Sequence, residues 1–104
     1  MQFKKMFKDK ILSGEKTQTR RPTCNLKVGQ IVPAQNGYKD KAFARLKITS
    51  IRKENMLTMT DKKIKKEGFE CVNDFVETWL KCFKYYDASE MLYVINFKVV
   101  KETK

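Results

Sequence analysis

The segment Ser13–Pro22 concentrates the residue types that could do chemistry. It reads SGEKTQTRRP and holds one lysine, two adjacent arginines, two threonines and a glutamine, with no large apolar side chain. Forked guanidinium groups suit phosphate oxygens, and an amide can pair with the edge of a base. We therefore expect this segment to stay out of the hydrophobic core and to form the functional site.

The flanking patterns predict how this segment is held. Phe3, Phe7 and Ile11 recur at helical spacing, with Met6 on the same stripe, and Gly14 stands where a helix ends in the left-handed conformation. A short amphipathic helix should thus lead into the segment. Within it, Lys16 and Thr19 are three residues apart and would point to opposite faces of a regular strand, so an irregular loop is predicted.

Antiparallel strands are predicted next. In LKVGQIVPAQ, Gly29 indicates a turn and Pro33 indicates an edge strand. Asn36 and Gly37 predict a tight hairpin turn, and the following AFARLKITSI alternates apolar and polar residues as a strand does.

The last third of the chain predicts two helices and a strand. A short helix is expected over residues 61–66, with Gly68 ending it, and residues 72–83 carry the apolar stripe of an amphipathic helix. Trp79 on that stripe is predicted to anchor the core. The closing MLYVINFKVV alternates as a strand. Together the patterns predict one α+β domain over residues 1–104, with a largely antiparallel, barrel-like sheet.

Composition narrows the class of protein. The net charge is +11, and residues 1–66 carry 18 of the 23 basic but only five of the 12 acidic side chains. Such asymmetry favours a polyanionic partner, most often nucleic acid, although a lysine-rich surface that serves solubility remains an alternative. The chain has no histidine, and its three cysteines form no CxxC pair, so we expect reduced cysteines and no metal site. No apolar run suits a bilayer or a secretory signal, which predicts a cytoplasmic protein without a membrane partner.

The segment Ser13–Pro22, together with the later VGQIV, EGF and LYVINF, resembles the ASCH domain family, a relative of the PUA fold. The similarity extends over nearly the whole chain, and GxKTxTxR is its most specific element. The resemblance implies a small antiparallel β-barrel with packed helices and a basic cleft that takes RNA or a modified cytidine nucleoside. It implies neither a cofactor nor a protein partner.

One branch of that family hydrolyses N4-acetylcytidine and related N4-acylated cytosine nucleosides to cytidine and a carboxylate. Carried over by residue, its catalytic lysine falls on Lys16, its threonine on Thr19 and its glutamate on Glu67, with Glu70 as the competing position. Arg21 matches the arginine that closes the motif. The resemblance leaves a noncatalytic RNA-binding module as the alternative, and RNA cleavage as a weaker one.

The residue chemistry is compatible with amide hydrolysis. If Arg20, Arg21 and burial lower the pKa of Lys16, its amine can act as the general base for Thr19, and Glu67 can protonate the leaving N4 amine. Alternatively, a protonated Lys16 stabilises the oxyanion while Glu67 activates water. The expected substrate-binding residues are Gln18, Arg20, Arg21 and Tyr38. Tyr85 and Tyr86 could stack on bases, but burial of their rings is the favoured interpretation.

Overall fold

The computed structural model describes residues 1–37 and 39–100. The predicted binding residue Tyr38 lies outside the described residues. The α-helices are α1 (Lys8–Ser13), α2 (Asp61–Ile64) and α3 (Val72–Phe83), and 3₁₀ turns cover Lys5–Phe7 and Lys65–Glu67. The strands are β1 (Gln18–Arg21), β2 (Ile31–Ala34), β3 (Ala44–Glu54) and β4 (Leu92–Val99).

The four strands form one antiparallel sheet in the order β1-β4-β3-β2. The sheet curls into half of a barrel, and the helices pack around it. The predicted α+β class with a barrel-like antiparallel sheet is therefore confirmed. Pro33 lies in the edge strand β2, as predicted, because an edge position does not require the N–H that proline lacks.

Glycines end the helical segments where the sequence predicted them. Gly14 caps α1 with a φ of 86°, and Gly68 follows the second 3₁₀ turn with a φ of 94°. Both angles lie in the left-handed region, which a glycine enters without the steric cost of a Cβ. Before α2, the Thr60 side chain accepts a hydrogen bond from the Lys63 N–H at 3.2 Å and thereby fixes the start of that helix.

The core lies between the sheet and the helices. From α3 it takes Phe75 and Trp79, so the predicted core anchor is buried. Strand β4 is central in the sheet and is buried on both faces at Leu92, Val94, Ile95 and Phe97, which exceeds the one apolar face that its alternation predicted. Met6, although on the predicted helical stripe, is 54% exposed.

Three local predictions were wrong. Residues 18–21 are not an irregular loop but the regular strand β1, and Lys16, Gln18, Thr19 and Arg20 are all buried. The Asn36–Gly37 hairpin is not a two-residue turn, since β2 ends at Ala34 and β3 begins at Ala44. The ring of Tyr85 is exposed, whereas Tyr86 packs partly against the core.

Within residues 1–37 and 39–100, no helix has the length and apolar character needed to cross a bilayer.

Candidate functional site

Lys16 lies just before β1, and the backbone around it fixes its position. The N–H of Lys16 donates to Lys10 O at 3.0 Å, and the N–H of Thr17 donates to Lys66 O at 2.9 Å. These two bonds hold the segment between the end of α1 and the second 3₁₀ turn. Because Lys16 is outside the strand, the alternation of β1 does not separate it from Thr19.

The Lys16 ammonium is enclosed by carbonyl oxygens and aromatic rings. Its Nζ donates to the main-chain oxygen of Gln18 at 2.9 Å and to that of Glu67. The same nitrogen lies 4.6 Å from the centroid of the Phe7 ring and 5.9 Å from that of Phe3. Only 3% of the residue is exposed, so a charge here has lost nearly all contact with water.

The pKa of Lys16 is lowered to about 8, chiefly by burial; the charge of Glu67 opposes this shift, and the charges of Arg21 and Lys10 add to it. Desolvation has this effect because it disfavours the charged form of an amine. From the sequence, Arg20, Arg21 and burial were all expected to lower this pKa. In the structure, the arginine that contributes is Arg21, whereas Arg20 faces Glu67.

Glu67 is the buried carboxyl of the site. It is 1% exposed, and burial raises its pKa above the usual value, against the attraction of the Lys16 and Arg20 charges. The nearest cation is Arg20, whose Nε lies 3.7 Å from Oε2 of Glu67. That distance is too long for a good hydrogen bond, and among the described residues Oε2 has no hydrogen-bond partner.

A cleft of about 180 Å³ brings these groups together. Lys16, Thr19 and Glu67 all line it, although Glu67 is 51 residues beyond Lys16 in the chain. Arg20 and Arg21 line it as well. The rest of its wall is mostly aromatic and includes Phe3, Phe7, Phe69, Phe75, Trp79 and Phe83.

Two of the other expected site residues do not line the cleft. Glu70, the competitor of Glu67, is exposed and borders a different surface depression. Gln18 lines a second cavity, which Arg20 also lines, and its side chain hydrogen-bonds to Glu67, which opposes the rise in the pKa of that carboxyl. Arg21 donates through Nη2 to Gln2 O at 2.7 Å and stacks near the Phe3 ring at 5.6 Å, so its guanidinium holds the N-terminal segment against the cleft.

The aromatic wall of the cleft was not predicted from the sequence. Phe75, Trp79 and Phe83 follow one another at four-residue intervals on α3, and their rings pack in sequence with centroids 5.5 and 4.4 Å apart. The spacing predicts a core stripe, and Phe75 and Trp79 are buried in the core, whereas Phe83 is exposed. Helical periodicity shows which face is buried, but it does not show whether that face borders a cavity.

Comparison with solved structures identifies the fold. An ASCH domain from Lactobacillus crispatus JV V101 is 20% identical, with a TM-score of 0.74 over 88% of this chain and 69% of its own. ASCH from Zymomonas mobilis is 14% identical, with a TM-score of 0.68 over 97% and 68%. A protein from Enterococcus faecalis V583 is 18% identical, with a TM-score of 0.66 over 93% and 71%.

These similarities define an α+β fold with a curled antiparallel sheet and packed helices. This fold is the ASCH domain fold. No protein-family model and no curated protein matches the sequence.

Proposed function

We propose that the protein removes the acyl group from N4 of an N4-acylated cytosine nucleoside such as N4-acetylcytidine, releasing a carboxylate and cytidine. One observation carries the proposal. A buried lysine with a pKa of about 8, a threonine and a buried carboxyl line the same cleft. Perturbed titratable groups in a cleft are typical of catalytic sites. The ASCH domain fold supports the same assignment.

The aromatic wall suits the planar part of such a substrate. Nucleobases stack on aromatic side chains, and an acyl amide conjugated with the ring extends the same flat surface. Phe7 and Trp79 belong to both the cleft and the core, so they form a rigid support. A rigid wall favours catalysis because it holds the reacting carbonyl at a fixed distance from the attacking group.

The environment of Lys16 suits a neutral amine that acts as a base. A neutral amine has two N–H bonds and one lone pair, and two main-chain carbonyls already accept hydrogen bonds from Nζ. With both N–H bonds occupied in this way, the lone pair remains to accept a proton. Since the pKa is about 8, about a tenth of the lysines are neutral at pH 7.

Each proton can be followed through the reaction. Lys16 takes the hydroxyl proton of Thr19 as its Oγ1 attacks the acyl carbonyl carbon. Glu67 then donates its proton to N4 as the bond between carbon and N4 breaks. Water attacks the acyl-threonine ester and gives a proton to Glu67, and Lys16 returns its proton to Oγ1. The net reaction consumes one water and restores all three side chains.

The alternative mechanism uses the same residues without a covalent intermediate. A protonated Lys16 would stabilise the oxyanion, and the Glu67 carboxylate would activate water. The unpartnered Oε2 of Glu67 leaves an acceptor position for that water. In this case Thr19 would only help to position the substrate.

The test is incubation with N4-acetylcytidine in the presence of a chelator, with cytidine measured by chromatography. We expect turnover by the wild-type protein and a loss of at least about 100-fold in Thr19→Ala and Lys16→Ala, because each removes a group that acts in the transition state. Thr17→Ala is the matched control, since Thr17 is two residues away and does not line the cleft.

Circular dichroism of each variant distinguishes a folded protein that has lost activity from one that has failed to fold. Absence of cytidine release by the folded wild-type protein would refute the proposal and leave a noncatalytic RNA-binding role as the account of the site. Retained turnover in Thr19→Ala, with loss in Lys16→Ala, would favour the mechanism in which Glu67 activates water.

A further inference from the structure

A second cavity, of about 270 Å³, shares Arg20 with the cleft, and we call it the basic cavity. Its charged and amide-bearing wall consists of Gln18, Arg20, Arg52, Glu54, Asn55, Lys63 and Lys66. Four of these side chains are cationic and one is anionic. The aromatic wall of the cleft has no counterpart here, so the two cavities suit different parts of a ligand.

The strand register explains why two arginines meet in the basic cavity. Arg20 on β1 and Arg52 on β3 both align with Val94 of the central strand β4. Residues aligned across neighbouring strands point to the same face of a sheet, so both guanidinium groups leave the sheet on one side, two strand spacings apart. Lys63 on α2 and Lys66 on the following 3₁₀ turn complete the wall from above that face.

The positive charge of the basic cavity is only partly compensated. Glu54 pairs with Arg52 at 2.7 Å between exposed side chains. Arg20 is only 4% exposed, and its Nε and Nη1 atoms have no hydrogen-bond partner among the described residues. Its ion pair with Glu67, 3.7 Å from Nε, is too long for a good hydrogen bond, and an external anion with several oxygens would supply the acceptors that these buried donors lack. Within residues 1–37 and 39–100, Lys63 and Lys66 form no ion pair.

We propose that the basic cavity binds a phosphate group of the ligand whose base occupies the cleft. This inference rests on the proposed function for the nucleoside part only. The phosphate contacts are the Arg20 guanidinium, the Lys63 and Lys66 ammonium groups and the Gln18 amide. Because Arg20 lines both cavities, they are adjacent, and one ligand can place its base in the cleft and its phosphate in the basic cavity, either as a mononucleotide or as the backbone of RNA.

Inorganic phosphate provides a test that does not require catalysis. The full-length protein, labelled with ¹⁵N, is titrated with phosphate, and the signals of Arg20 Nε and the Gln18 side-chain amide are followed by NMR. We expect a saturable shift of both signals. The double variant Lys63→Gln/Lys66→Gln should weaken phosphate binding about fivefold or more, because it removes two charge-assisted contacts.

Lys62→Gln/Lys65→Gln is the matched control. It removes the same charge from the same two helical segments, but neither residue lines the basic cavity. We expect its phosphate affinity to stay within about twofold of the wild-type value, since surface charge acts weakly at a distance in salt. Equal weakening by both double variants, or the absence of a saturable shift in the wild-type protein, would overturn the proposal.

Two further ligands identify the source of the phosphate. Cytidine 5′-monophosphate and a pentamer of cytidines are compared with cytidine in wild-type and Lys63→Gln/Lys66→Gln proteins. Weaker monophosphate binding by the variant indicates a mononucleotide, whereas weaker binding of the pentamer alone indicates RNA. If neither ligand binds the variant more weakly, the cavity does not take the phosphate. These binding results stand even if N4-acetylcytidine proves not to be hydrolysed.

Discussion

Lys16 and Glu67 have pKa values that move toward each other. Burial lowers the pKa of the lysine to about 8 and raises that of the carboxyl above its usual value. Between these two pKa values the pair holds one proton in total, on either the amine or the carboxyl. Both proposed mechanisms require the Lys16–Glu67 pair to hold one proton. They therefore predict the same dependence of activity on pH.

The first prediction concerns the pH profile of catalysis. We expect kcat/KM for N4-acetylcytidine to be bell-shaped, with an acid limb above pH 4.5 set by Glu67 and an alkaline limb near pH 8 set by Lys16. Below the acid limb both groups are protonated, and above the alkaline limb both are deprotonated. Initial rates across a pH series would measure it, and a profile that rises continuously through pH 9 would contradict it.

The pH profile cannot distinguish the two mechanisms, but a covalent intermediate can. Only attack by Thr19 forms an acyl-threonine ester, which adds the mass of the acyl group to the protein. Rapid acid quenching followed by mass spectrometry should detect that mass on the peptide that contains Thr19. Its absence during active turnover would favour direct attack by water.

The second prediction concerns folding stability. Between about pH 8 and 10.5 the unfolded Lys16 is protonated and the folded one is neutral, so the free energy of unfolding should rise with pH in that window. The full rise is on the order of 3 kcal/mol. Lys16→Met should lack this rise because it cannot titrate. Urea unfolding of both proteins at several pH values measures the difference, and parallel curves would contradict it.

At the scale of elements, Gly68, which ends the second 3₁₀ turn, packs against the side chain of Lys16. A Cβ added at this position would lie 3.0 Å from Cδ1 of Phe7 and 3.3 Å from Cδ of Lys16. The Gly68 carbonyl also accepts a hydrogen bond from Lys10 at 2.7 Å. The glycine therefore does more than permit a left-handed conformation, since it also leaves the space that the buried lysine occupies.

The third prediction follows from this contact. Gly68→Ala should lower the free energy of unfolding by about 1–3 kcal/mol, through strain and steric contact, and should also reduce turnover by displacing Lys16. Gly14→Ala is the matched control, because Gly14 has a similar φ of 86° but no atoms within 4 Å of an added Cβ. We expect it to lose stability through backbone strain while keeping its turnover. Equal loss of activity in both variants would contradict the role assigned to Gly68.

The sequence predicted the elements that depend on local signals. The helix ends at Gly14 and Gly68, the amphipathic helix α3 and the edge position of Pro33 were all predictable, because each depends on a single residue's backbone or on a short periodicity. Strand β1 was not. Its sequence QTRR has no apolar alternation, and its burial results from pairing with β4 and from the cover of the 3₁₀ turn.

The candidate site was predictable only in part for a related reason. Lys16 and Thr19 belong to one short motif, but Glu67 reaches them through tertiary structure, and only the family resemblance suggested it. No sequence pattern indicated that Arg52 lines the basic cavity, because its alignment with Arg20 depends on the register of three strands. Aromatic residues that line the cleft were indistinguishable in sequence from those that fill the core.

At the scale of the whole molecule, the excess positive charge has two distinct parts. Lys16 and Arg20 are buried and belong to the site, whereas lysines such as Lys62 and Lys65 are exposed. Salt weakens the interactions of buried charges only a little. At ordinary ionic strength it largely screens interactions between exposed charges that are more than about 10 Å apart. The two parts should therefore respond differently to salt.

The fourth prediction uses this difference. An acylated nucleoside has no phosphate, so raising salt from about 50 to about 200 mM should change its kcat/KM by less than about twofold. The affinity of a cytidine oligonucleotide should fall much more over the same range, because its phosphates release counterions on binding. Steady-state rates and fluorescence titrations measure the two effects. A steep salt dependence for the nucleoside would indicate that exposed charges control access to the cleft.

Residues in the wall of the cleft are also part of the core. The shape of the cleft therefore cannot be changed without changing the packing of the core. Phe7, Phe69, Phe75 and Trp79 belong to both. A substitution that reshapes the binding surface for a larger acyl group also removes or adds packing volume in the interior, which costs stability in either direction. Changes in specificity and changes in stability are therefore coupled at these positions, so an altered substrate range would require compensating substitutions elsewhere in the fold.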